Sequence, residues 1–165
     1  MYDVAIINFE MGNLYSVNSA CKKVGLSSII SSEENIILES KAIILPGVGS
    51  FSQAMQNIKK KKLDDILLKF FKTKKPIVGI CLGMQLFFER SEELGGSDGL
   101  GLIEGEVIPN GKTFFKQNND ILNIGWNSIF LKKENNLLKY CANPSQMYFI
   151  HSFFCNPKNK KIITS

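Results

Sequence analysis

The sequence predicts an α/β fold: three layers, with a mostly parallel sheet flanked by helices on both faces. Three observations lead there. Short apolar runs recur through the first half, at Val4-Ala5-Ile6-Ile7, Ala42-Ile43-Ile44-Leu45 and Ile77-Val78-Gly79-Ile80. Such continuous runs suit strands buried on both faces. Helix-period patterns separate them, and turn residues follow each run at its carboxyl end.

Taken in order, the first run is a buried parallel strand. Gly12-Asn13 form a turn, and Leu14, Val17, Cys21 and Val24 then share one helix face, which Gly25 ends. Residues 28–31 are a second short strand. The third is residues 42–45, stopped by Pro46-Gly47. Leu63, Ile66, Leu67, Phe70 and Phe71 give the strongest amphipathic-helix signal in the chain. The fourth strand covers residues 77–80, and a helix is expected over residues 82–90. Beyond a glycine-rich loop at 95–101 come three strand-like pieces, at 105–108, 121–127 and 147–151, expected as antiparallel strands over the sheet's far end. Residues 160–164 read as the start of another strand. No repeat or linker divides the chain, so residues 1–165 are expected to form one domain.

Composition excludes several classes. The opening has no basic region followed by a long apolar run, and no stretch is long enough to span a bilayer, so a cytosolic protein is expected. The four cysteines, Cys21, Cys81, Cys141 and Cys155, form no CxxC pair, and His151 is the one histidine. A zinc site and a disulfide framework are therefore not expected. Cys21 belongs to an apolar helix face as a small hydrophobe. The net charge of +5 is nearly all lysine, with Arg90 the one arginine. Lysines cluster at 59–62 and at Lys69, Lys72, Lys74 and Lys75. They have no interleaved aromatic platform, so they read as a solvated helix face and not as a nucleic-acid patch. The glycine-rich loop has no closing Gly-Lys-Ser/Thr and is not a P-loop.

The chemistry concentrates in Gly79-Ile80-Cys81-Leu82-Gly83-Met84-Gln85. A strand, a sharp turn carrying one cysteine and a helix follow one another, which is the nucleophile-elbow pattern with Cys in place of Ser. Glycines two residues either side leave room for a strained turn. A thiol at a helix N-terminus is favoured as the thiolate. In a parallel sheet the site lies at the carboxyl ends of the strands. Residues 8–13, Pro46-Gly47-Val48-Gly49 and Cys81 all fall there, so three loops are expected to converge.

These motifs, with Met11-Gly12-Asn13-Leu14, Gly125-Trp126-Asn127 and Tyr148-Phe149-Ile150-His151-Ser152, resemble the class I (triad) glutamine amidotransferases. More narrowly, the chain resembles the glutaminase subunits of imidazole glycerol phosphate synthase, in order over essentially its whole length. The resemblance implies a flavodoxin-like sheet and hydrolysis of glutamine to glutamate and ammonia. The ammonia would pass to a (β/α)8-barrel cyclase in a heterodimer of histidine biosynthesis. Cys81 matches the nucleophile, and the backbone N–H groups of Leu82 and Val48 the oxyanion donors. Gly47, Gly49, Gln85, Glu93, His151 and Ser152 match the substrate pocket. Asn13, Trp126 and Tyr148 match the cyclase-facing surface; the competing reading of Trp126 is a core residue. No cofactor or metal is implied, nor a nucleic-acid or membrane partner.

One departure is plain. The family's His-x-Glu pair follows the Tyr-Phe-x-His-Ser strand, and residues 152–165 contain no such motif. His151 matches the pocket strand, not the base. The resemblance thus implies an incomplete triad, a sheet lacking its C-terminal portion, and no turnover by the chain as written. The alternatives are a non-catalytic cyclase-binding subunit and a paralogue supplying ammonia for amidation of a surface sugar.

Overall fold

The computed structural model describes residues 1–112, 122–133 and 137–164. Its centre is a parallel sheet of β1 (Val4–Ile7), β2 (Ser28–Ser31), β3 (Ala42–Gly47) and β4 (Ile77–Cys81), in the order β2-β1-β3-β4. The crossovers are helical: α1 (Leu14–Lys23), α2 (Glu34–Glu39), and α3 (Phe51–Lys60) with α4 (Leu63–Lys72). Alternation along β1 divides the core. Val4 and Ile6 pack with Cys21, Leu14 and Val17 of α1. Ala5 and Ile7 pack into the larger cluster with Ile37, Phe51, Ile58, Leu67 and Phe70. Helices therefore cover both faces, giving the expected three layers.

α4 follows its sequence pattern. Leu63, Ile66, Leu67 and Phe70 are buried, while Phe71 turns out to be exposed. Asp64 and Asp65 in its first turn, with Lys69 and Lys72 in its last, complement the helix dipole. Some of the lysines tie the fold together: Lys69 pairs with Glu34 at 2.6 Å, Lys61 with Glu10 at 2.9 Å, and the Lys75 ammonium donates to the carbonyls of Leu38 and Ser40.

Four expectations are corrected beyond β4. The helix after the elbow, α5, covers only Leu82–Gln85. The chain then straightens into β5 (Phe88–Ser91), because Leu100, Leu102 and Ile103 donate backbone hydrogen bonds to Leu86 and Phe87. β5 joins β6 (Ser97–Asp98), β7 (Ile103–Pro109) and β10 (Phe153–Pro157) in a second sheet, ordered β10-β7-β5-β6. That sheet is not wholly antiparallel, since β5 and β7 run parallel. Residues 160–162 form a 3-10 turn where a strand was expected. The Asn159 side chain accepts from the Lys161 N–H at 3.0 Å and bends the backbone locally. β8 (Asn123–Ile129) and β9 (Ser145–His151) pair as an antiparallel ribbon. The expected strand over 121–127 is thus shifted, and Ile121 lies outside the described residues. Among the described residues, no helix is long and apolar enough to cross a membrane.

At the start of β1, Asp3 accepts from the Ser27 N–H and hydroxyl and pairs with Lys41 at 2.8 Å. These partners hold its carboxyl well below the usual carboxylate range, the Lys41 bond most of all. A depressed folded-state pKa stabilises at pH above the unfolded value, and that stability fades as pH falls through the acid range. Asp3→Asn is therefore expected to lower the melting temperature at pH 7. The gap should narrow as the scan pH is taken below 4, and a gap independent of pH would contradict this.

Candidate active site

Cys81 closes β4 with φ 53° and ψ −117°, a conformation that a side-chain-bearing residue rarely adopts. The neighbouring glycines explain how the chain holds it. A Cβ on Gly83 would stand 1.7 Å from the Leu45 carbonyl oxygen. One on Gly79 would stand 2.5 Å from the Met84 Cα. α5 is folded hard against β3 and β4, and only glycine permits that approach. Gly47 lies under the same turn, with its Cβ position 3.0 Å from the Leu82 Cβ. The dipole expectation is weakened, because a helix of four residues aligns few peptide units.

The three loops converge as expected. Gly12 packs on Pro46, its Cβ position 3.2 Å from that carbonyl oxygen, and Gly49 packs on the Met11 methyl. A cavity of about 290 Å³ opens over Cys81 and brings together Val48, Gly49, Leu82, Gln85, Glu93, His151 and Ser152. Cys81 and Val48 are exposed, whereas Leu82 is buried. The Gln85 side-chain amide donates to the Phe153 carbonyl at 3.2 Å, tying α5 to β10. Glu93 Oε2 accepts from the Phe51 N–H at 2.6 Å. Asn13 stands apart from this cavity; exposed, it caps α1 by accepting from the Ser16 N–H at 3.3 Å.

His151 shares the cavity, but both of its ring nitrogens are engaged. Nδ1 lies 3.0 Å from the Phe153 carbonyl oxygen, which can only accept. Nδ1 therefore carries the proton, and Nε2 accepts from the Asn123 side-chain amide at 3.1 Å. In this arrangement the imidazole is not offered to the Cys81 thiol. Asn123 was invisible as a site residue, since it lies 28 positions from the ring it holds.

A second cavity, of about 440 Å³, also borders Cys81 and is lined mainly by apolar groups including Ile80, Met84, Met147 and Phe149. Cys155 borders it. Burial, and secondarily the nearby Cys81, push the Cys155 thiol up to about 12, and burial also raises that of Cys21. Among the described residues, no group of three or more His, Cys, Asp or Glu is arranged to hold a metal ion.

On the β8–β9 ribbon, Trp126 pairs directly with Tyr148, their rings edge to face with centroids 5.6 Å apart. Trp126 is 70% exposed, so it is not a core residue. Ile124 and Ile150 form the next exposed pair on the same face.

Comparison with known proteins agrees with this geometry. The model of the class-I glutamine amidotransferases matches residues 5–165. The imidazole glycerol phosphate synthase subunit HisH of Wolinella succinogenes is 43% identical over 158 residues, 96% of this chain and 77% of that protein. Subunit HisH 2 of Vibrio vulnificus is 40% identical, over 98% of this chain and 75% of its own length. Among solved structures, one described as a glutamine amidotransferase superposes with TM-score 0.67 at 15% identity, covering 90% of this chain and 70% of its own. PurLQS from Thermotoga maritima gives 0.65 at 16%, covering 97% and 72%. At such identities these two speak for the fold alone. The motifs, the elbow and the relatives at 40% identity and above together place the chain in the class-I glutamine amidotransferase family, among the HisH subunits of imidazole glycerol phosphate synthase.

Proposed function

We propose that this chain is a single-domain glutaminase subunit that works in the cytoplasm and hands ammonia to a (β/α)8-barrel cyclase for histidine biosynthesis. The observation that carries this reading is the strained Cys81 elbow, set in a cavity with Gln85, Glu93, Val48 and Gly49. The Cys81 thiolate attacks the side-chain amide carbon of glutamine. Charge developing on the carbonyl oxygen is met by the N–H groups of Leu82 and Val48. Collapse expels ammonia and leaves a thioester, which water cleaves to glutamate. Gln85, Glu93, Ser152 and the backbone of Gly47 and Gly49 hold the substrate.

Proton transfer is the weak point of this sequence. Its one histidine is held by Phe153 and Asn123. Members of a catalytic triad act as a unit, and losing the base costs on the order of 10⁴-fold or more. Residues 1–165 are therefore expected to hydrolyse glutamine at a negligible rate, with or without a cyclase. Substantial turnover that His151→Ala abolishes would show that the imidazole rotates toward Cys81.

Covalent labelling tests the nucleophile separately from turnover. A glutamine-like chloroketone is expected to modify Cys81 alone, with free glutamine protecting it. Exposed Cys141 is open to iodoacetamide but lines neither of the two cavities that border Cys81, while Cys21 and Cys155 are held back by burial. Equal modification of Cys81 and Cys141 by the chloroketone, unaffected by glutamine, would overturn the assignment.

A further inference from the structure

We infer that Glu93 is a positioning residue that couples occupation of the Cys81 cavity to the loop 46–49; this rests on the reading of that cavity as a glutamine site. α3 begins at Phe51, directly after the loop, and its N-cap residue Ser50 makes no side-chain capping bond. The cap comes instead from Glu93, 42 positions away, whose Oε2 takes the Phe51 N–H at 2.6 Å. A carboxylate on a helix N-terminal N–H is a charge-assisted bond, and it also meets the positive end of the helix dipole.

Both ends of this link are anchored. The Phe51 side chain is fully buried. The Glu93 N–H donates to the hydroxyl of Ser91, itself fully buried, at 3.2 Å. Leu94, at φ 49° and ψ 40°, with Gly95 and Gly96 also at positive φ, turns the chain sharply just after Glu93. Just before Phe51 in the chain, Val48 and Gly49 line the same cavity as Glu93. Gly49, at φ +119°, turns the loop over the Met11 methyl, which would stand 2.5 Å from a Cβ there.

A carboxylate has two oxygens. One holds the start of α3, and the group borders a cavity that is to receive an amino acid with a cationic end. An ammonium drawn to Glu93 fixes the carboxylate, and through Oε2 it fixes the Phe51 N–H and the loop before it. Amine recognition and the placing of Val48 thus become one event, at opposite ends of the same substrate.

Backbone hydrogen exchange on the 165-residue chain, with and without L-glutamine, tests this. In the unaltered chain, glutamine is expected to slow exchange over residues 48–51. Glu93→Gln keeps an oxygen for the Phe51 N–H but loses the charge, so loop exchange without ligand stays near its original value and the glutamine effect disappears. Glu93→Ala speeds exchange at Phe51 about tenfold even without ligand, as a lost cap would. If Glu93→Ala fails to fold, the Glu93→Gln result decides. The coupling is overturned if glutamine protects Cys81 from the chloroketone yet leaves exchange over 48–51 unchanged. It is equally overturned if Glu93→Gln retains the full glutamine effect on the loop. If the chloroketone does not select Cys81 at all, the glutaminase reading itself falls, and the coupling with it.

Discussion

Gly83→Ala is expected to leave little folded protein. The added Cβ would stand 1.7 Å from the Leu45 carbonyl oxygen, well inside any van der Waals contact. That oxygen cannot move aside, because Leu45 is fully buried and lies in the central strand β3, paired opposite Gly79 of β4. Nor can α5 lift away without unwinding the Cys81 turn that precedes it. Inserting one methyl group into a tight core usually costs about 1–3 kcal/mol when side chains can repack. Here backbone meets backbone, so the cost should exceed that range, against a total stability of about 5–15 kcal/mol. For a chain of this size, a loss of about 3 kcal/mol lowers the melting temperature by roughly 6–12 °C, and a larger loss by more. Gly25→Ala is the control. It has a positive φ of +82° but nothing within 4 Å of its Cβ position, so only the local backbone cost of about 1–2 kcal/mol applies. Thermal unfolding by circular dichroism should rank the two clearly. A Gly83→Ala chain melting at or above Gly25→Ala would mean that the elbow is not closed on β3.

The elbow was legible because its chemistry is local: strand, cysteine, glycines and turn are contiguous between Pro76 and Gln85. The four parallel strands were legible for a related reason, since burial on both faces leaves uninterrupted apolar runs. Their carboxyl ends then located three of the loops around Cys81 without any further information. What escaped was decided by partners far along the chain. Phe87 and Phe88 continue the apolar spacing of α5, but Phe87 lies in a turn and Phe88 opens β5, where their carbonyls accept hydrogen bonds from residues 101–103. The link from Glu93 to Phe51 and the lock of Asn123 on His151 span 42 and 28 positions, and neither leaves a local trace. α3 is a different case. Phe51, Ala54, Met55 and Ile58 carry a clear helical period, yet the helix ends in a lysine run whose charge masks that apolar face.

Trp126→Ala is expected to weaken binding of a (β/α)8-barrel cyclase by about 30- to 1000-fold while leaving the isolated chain's melting temperature nearly unchanged. The second half follows from exposure. Trp126 is 70% accessible, and among the described residues its ring contact is with Tyr148, itself exposed, so truncation opens no cavity in either core cluster. The first half follows from what such a surface does in an interface. Trp and Tyr are large, rigid and half polar, and a central aromatic anchor that becomes buried contributes about 2–4 kcal/mol to an association. Ile124 and Ile150 extend the same exposed face by one more cross-strand pair, which gives the anchor an apolar surround. Ser152 and His151 stand at the end of the same strand and just beyond it, so a partner seated on the ribbon would sit beside the Cys81 cavity, where released ammonia would be shielded from water. Titration calorimetry with a cyclase, paired with thermal scans of each chain alone, separates the two effects. The isolated chain should also gain stability when the cyclase is added, by mass action, and lose that gain with Trp126→Ala. A substitution that melts the chain but spares the affinity would put Trp126 in the fold's service and move the docking surface elsewhere.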